Sequence, residues 1–166
     1  MKRQKKMSRL TTAFCLFAML LAAEAGAADS LNMRTVGAWS LGGCRAVTGC
    51  LIGGQRHVLA GSGARLAVLD VSDPAQPLAR GDLSLSGAIF DISVSGTTAY
   101  LAMGDRVAAV DVSDPTRPEL IGSLAAPDSV KRLSFGAGRL YMAAGASGVL
   151  VADASDPSKL SIIGIC

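Results

Sequence analysis

An all-β fold is what this sequence of 166 residues predicts, and three observations carry that prediction. The phrase "DVSDP" stands at residues 70–74 and again at 111–115, and "DASDP" stands at 153–157. Its first residues, Asp70, Asp111 and Asp153, are 41 and 42 positions apart, and a fixed period of this size marks a tandem array. Short apolar runs flank every copy, broken by Gly, Ser, Asp and Pro, and no long window shows the 3.6-residue apolar spacing of a helix. Four strands per unit of about 40–45 residues describe a blade of the β-propeller type. The expectation is about three four-stranded blades, an incomplete propeller.

The elements follow in chain order. Residues 1–9, "MKRQKKMSR", carry Lys2, Arg3, Lys5, Lys6 and Arg9 with no acid. An apolar run from Leu10 to Ala23 comes next, then the small-residue stretch "AEAGAAD". This is the layout of a secretory signal peptide over residues 1–27, with Ala25-Gly26-Ala27 as the cleavage box. The 14 residues of the run fall short of the roughly 20 that span a bilayer, so no stable membrane span is expected after cleavage. Cys15 stands too early in the run for a lipid-modified cysteine. The expected destination is the periplasm, the medium or the cell surface. Cleavage would remove five basic residues and Glu24, taking the formal charge from +3 to −1. No basic stripe then remains to neutralise phosphates, which excludes nucleic acid as a partner.

Beyond the leader, "MRTVGAWSL" (33–41) reads as a stray fourth strand, its Gly37 matching Gly81, Gly122 and Gly164. The units then occupy approximately 44–85, 86–126 and 127–166. First strands are read in "GCLIGG" (49–54), "FDISVSG" (90–96) and "KRLSFGAG" (131–138). Second strands are "HVLAG" (57–61), "AYLAMG" (99–104) and "LYMAAG" (140–145). Third strands are "ARLAVLD" (64–70), "RVAAVD" (106–111) and "GVLVAD" (148–153). Fourth strands are "PLARGDLSL" (77–85), "PELIGSLAA" (118–126) and "KLSIIGIC" (159–166).

The repeated phrase turns the third strand into the fourth. Pro74, Pro115 and Pro157 push Asp73, Asp114 and Asp156 out of the helical region and offer no N–H to a ladder. The Asp and Ser side chains can accept from nearby amides, an Asx-type turn. Pro77 and Pro118 stiffen the start of the next strand, and Leu160 takes that place in the third unit, whose turn is expected to be looser. The alternative for the six carboxylates is Ca²⁺, which wants six to eight oxygens converging on one point. Each pair lies on its own blade, so structural turns are expected, with no metal and no cofactor.

Cys44, Cys50 and Cys166 follow the leader. Export makes a Cys44–Cys50 bridge an expectation, provided that "CRAVTGC" turns between them; otherwise Cys50 is a reduced strand residue. His57 is the only histidine and is expected at a solvated strand end, which leaves neither a zinc cluster nor a Ser–His–Asp arrangement. Gly61-Ser62-Gly63 lacks the Lys of a phosphate loop and reads as a turn. Asp91 and Arg132 hold matching places before inner-strand residues Ile92 and Leu133, either facing a channel or solvated at strand ends. Tyr100 and Tyr141 hold equivalent second-strand places, which points to packing between blades.

The text "AYLAMG…VAAVDVSDPTRPELIGSL" resembles the LVIVD repeat of exported, propeller-type proteins, over roughly residues 31–166. The departures are Ala154 in the third phrase and the unusual "GGCRAVTGCLIGG" of the first unit. The resemblance implies export and a propeller, and transfers no catalytic residue. Propellers close with about four to eight blades, so three would leave two open faces. The expected function is a non-catalytic binding or scaffolding module at the cell surface or in the periplasm, with a protein partner or self-association closing the ring. The alternative is a truncated fragment of a larger exported propeller protein, possibly an enzyme whose catalytic residues lie elsewhere.

Overall fold

Antiparallel strands account for most of the described chain, which in this computed structural model comprises residues 43–166. The expected leader (1–27) and stray strand (33–41) lie outside the described residues. A four-stranded sheet is built in sequence order from β1 (Cys44–Ile52), β2 (Gln55–Ser62), β3 (Arg65–Asp70) and β4 (Leu78–Ser84). A second, seven-stranded sheet follows in the same sequential order. Its members are β5 (Asp91–Ser95), β6 (Thr98–Ala102), β7 (Gly104–Asp111), β8 (Glu119–Gly136), β9 (Arg139–Ala144), β10 (Val149–Asp153) and β11 (Ser161–Ile165). A short 3₁₀ turn at Gly145–Ser147 joins β9 to β10.

The fold is all-β, as expected, with one difference in how the units join. The fourth strand of unit two and the first of unit three are a single strand, the 18-residue β8. It pairs with β7 from Glu119 to Ala125, meets β7 again at Val130, and pairs with β9 from Val130 to Gly136. Pro127, which has no N–H to give a ladder, stands in the interval between the two partners, so it interrupts nothing. Counting β8 in both, the described residues form three four-stranded meanders: blade one (β1–β4), blade two (β5–β8) and blade three (β8–β11).

Side-chain alternation sets the packing. In β6 and β7 of blade two, Ala99, Leu101, Ala108 and Val110 face blade one, burying its Leu59, Leu66 and Val68. Tyr100, Ala102, Val107 and Ala109 point the other way, onto Leu140, Met142 and Leu150 of blade three. Both faces of blade two are therefore covered, which is why "AYLA" and "VAAV" read as unbroken apolar runs. The linker between the first two blades inserts Ile89, fully buried, beside Gly61. A Cβ at Gly61 would lie 2.7 Å from the Ile89 methyl, so the wedge needs the glycine.

One contact recurs between neighbouring blades. The proline turn of each later blade sits on the fourth-strand glycine of the blade before it. A Cβ at Gly81 would stand 2.6 Å from the Thr116 carbonyl oxygen, and one at Gly122 only 2.1 Å from that of Pro157. The inner strands of blades two and three are also linked by side chains: the Leu133 N–H donates to Asp91 Oδ2 at 2.9 Å, and the Phe135 N–H to Ser93 Oγ at 3.1 Å.

The expected Cys44–Cys50 bridge is corrected here. Both residues lie on β1, and both thiols are free. Six steps along an extended strand separate their Cα atoms by roughly 20 Å, several times the reach of a disulfide. The turn that "AVTG" would have had to make is strand: Val47, Thr48 and Gly49 pair with Ala60, Leu59 and Val58. Cys44 donates its thiol to the Ala46 carbonyl at 3.2 Å, and burial pushes the Cys50 thiol pKa up.

Candidate functional site

The six phrase carboxylates are spent locally. In each unit the first Asp accepts an amide two residues on: Asp70 from Ser72 (2.9 Å), Asp111 from Ser113 (2.8 Å) and Asp153 from Ser155 (3.0 Å). The second Asp does the same: Asp73 from Ala75 (2.9 Å), Asp114 from Thr116 (2.9 Å) and Asp156 from Ser158 (3.0 Å). Pro74, Pro115 and Pro157 each follow the second Asp, and a backbone bond closes every turn. These are Gln76 N–H to Asp73 O, Arg117 N–H to Asp114 O and Lys159 N–H to Asp156 O, at 3.0–3.1 Å. The third turn closes with the same bonds as the others, and Leu160 in place of proline costs it none of them. Among the described residues, no three His, Cys, Asp or Glu side chains are placed to share a metal ion.

These bonds carry a pH dependence. Arg80, donating at 2.5 Å, and the Ser72 amide hold the Asp70 carboxyl far below the usual range. The hydroxyls and amides of Thr116, Ser155 and Ser158 lower Asp114, Asp153 and Asp156 below the ordinary 3.8. Carboxylates with lowered pKa in the fold bind fewer protons than in the unfolded chain, so their stabilisation is complete above about pH 5 and is lost as pH falls through the folded values. The melting temperature is expected to be level from about pH 7 to about pH 5 and to drop below about pH 4. A melting temperature that rose on acidification from pH 5 to pH 3 would contradict this.

His57 is buried, not solvated, and this corrects the sequence expectation. It stands on β2 with its Nδ1 3.1 Å from the Gln55 carbonyl. A carbonyl only accepts, so Nδ1 holds the proton. Its inward position follows from β2 parity, which sends His57, Leu59 and Gly61 to the side facing blade two. Asp91 and Arg132 do come together, at 3.8 Å, but the carboxylate's nearer partners are the Ile92 and Leu133 amides. The pair joins blades two and three at their inner strands.

The remaining feature is a face. Tyr100 is buried and stacks on Phe135, ring centroids 5.2 Å apart and planes 7° from parallel, with its hydroxyl donating to the Ala154 carbonyl at 3.3 Å. Tyr141 holds the same register position on blade three, opposite Ser134 as Tyr100 is opposite Ser93. Yet it is 41% exposed, and Val149 beside it is 44% exposed. The inter-blade role read for both tyrosines thus holds for Tyr100, while Tyr141 lines an open groove with Leu133, Ala143 and Val149.

The LVIVD repeat pattern matches residues 59–83, 86–126 and 138–166, over half of the 166 residues. The chain belongs to the LVIVD repeat family. A search of the curated proteins finds no match. Within these LVIVD repeats the matched stretches of the first and third begin after the inner strand, so β1 and the inner half of β8 lie outside them. Ser93 and the seats at Gly81 and Gly122 were not singled out as contacts from sequence, although the glycines recur at a fixed distance after each phrase. Among the described residues no helix is long and apolar enough to cross a membrane.

Proposed function

We propose that this chain is an exported, non-catalytic LVIVD repeat protein that acts as a protein-binding or scaffolding module at the cell surface or in the periplasm. The observation that carries the reading is the uncovered apolar face of blade three, where Tyr141 and Val149 are 41% and 44% exposed. The same register positions in blade two, Tyr100 and Val107, are buried under a neighbour. Contiguous exposed apolar surface on a soluble domain marks a contact site. The basic start and short apolar run of residues 1–27 support export.

A photo-crosslinking amino acid at Tyr141 tests this in cells, with exposed Thr97, in a blade-two turn, as control. The expected result is a fractionated product lacking residues 1–27 that forms protein adducts from position 141 and none from position 97. Retention of the uncleaved chain inside the cell, or the absence of any protein adduct, would overturn it.

A further inference from the structure

The contact between blades two and three consists of a knob and a socket, and blades three and one repeat the two halves separately. The knob is Tyr100, supported by Ala102 and Val107 across β6 and β7. Its socket on blade three is the Phe135 ring, Leu140 beside it and the Ala154 carbonyl. On blade three the knob positions are Tyr141, Ala143 and Val149, paired in the same way across β9 and β10, and they are open.

The socket positions recur on blade one. Gly49 pairs with Val58 as Phe135 pairs with Leu140, and Val71 directly follows the first phrase aspartate as Ala154 follows the third. Gly49, Val58 and Val71 line a second apolar groove, with Leu51, 65% exposed, at its rim. Glycine where blade three has a phenylalanine leaves room for a ring: a Cβ at Gly49 would meet nothing closer than the His57 carbonyl at 4.0 Å. The Val71 N–H is held by the Arg56 carbonyl at 2.9 Å, matching the bond from Ala154 to Gly138. Strand alternation turns Val58 away from Leu59, which faces blade two, and Tyr141 away from Leu140 and Met142, which also face blade two. Knob and socket therefore lie on the two outward sides of the three-blade stack.

We infer that the occupant of the blade-three face is blade one of a second copy of this chain, Tyr141 of one copy entering the groove at Gly49, Val58 and Val71 of the other. This names the partner within the module reading above and rests on it. Two such head-to-tail contacts close a two-copy assembly of six blades, within the size range of propeller rings.

The full chain, exported and purified, is examined by native mass spectrometry and light scattering together with Tyr141→Ser, Gly49→Glu and the conservative Tyr141→Phe. The expected result is twice the chain mass for the parent and for Tyr141→Phe. Tyr141→Ser and Gly49→Glu should each weaken the dimer by roughly 30-fold or more, as loss of a central anchor does. Circular dichroism spectra of all four should match, which separates lost pairing from lost folding. A parent of single-chain mass at about 100 µM, or a dimer indifferent to both variants, overturns the inference. The adducts at position 141 then separate the two readings: an adduct with a different protein leaves the module standing without self-assembly, and no adduct removes both.

Discussion

Tyr100→Ala is expected to lower the unfolding free energy by about 3–5 kcal/mol, the cost of deleting a fully packed aromatic ring. Domains of this size hold only about 5–15 kcal/mol in total, so the variant should be the least stable of any single truncation in blade two. The ring is buried, stacks on Phe135 and belongs to the cluster formed with Leu140, Met142 and Leu150. Tyr100→Phe separates ring from hydroxyl. Its 3.3 Å bond to Ala154 is long, and losing it should cost about 1 kcal/mol or less. Urea titrations of the three proteins check the order. Equal losses for Tyr100→Ala and Tyr100→Phe would mean that the hydroxyl, and not the stacked ring, holds blades two and three together.

The second large effect is at Gly122. Adding one methyl there places a carbon 2.1 Å from the Pro157 carbonyl oxygen, a backbone atom that cannot rotate away. Gly122→Ala should cost about 3 kcal/mol, the upper end of overpacking penalties. Gly81→Ala, with Thr116 and Pro115 carbonyl oxygens at 2.6 and 2.8 Å, should come close behind. Gly87→Ala is the control, because its Cβ would meet the flexible end of Met103 at 3.4 Å and the Met103 carbonyl oxygen at 3.6 Å, an ordinary contact, and it should stay within about 1 kcal/mol. Melting curves for the three decide. Near-equal, small effects would show that the proline turns do not rest on the preceding strand as described.

The repeat was legible because a period of 41 to 42 residues, a proline-anchored phrase and alternating apolar runs all point to one architecture. Legibility failed where a residue's usual meaning was overridden by its place. The Cys44–Cys50 spacing allows a bridge only if the chain turns between them, yet Val47, Thr48 and Gly49 are paired in a nine-residue strand. The strands read separately at 118–126 and 131–138 are one, β8, because Pro127 falls where it changes partners and loses nothing. His57 looked solvated because its neighbours Gln55 and Arg56 are polar, but strand parity turns it inward. The candidate site was half legible: the two tyrosines were matched from sequence, whereas the difference in their exposure depends on which blade has a neighbour, a property of stacking order that no local pattern records.

A strand held in common by two neighbours also sets how the molecule comes apart. Blade one meets the rest through side-chain packing, the Ile89 wedge and a few backbone bonds from its connecting segment, while β8 gives its hydrogen bonds to blades two and three alike. Loosening either of those two strains the other, so they melt as one cooperative body, and the first fissure runs along the seam beside Ile89. Amides of residues 44–84 should accordingly exchange with solvent deuterium earlier than those of β6 to β9, giving the array a weak joint at one end and a welded pair at the other.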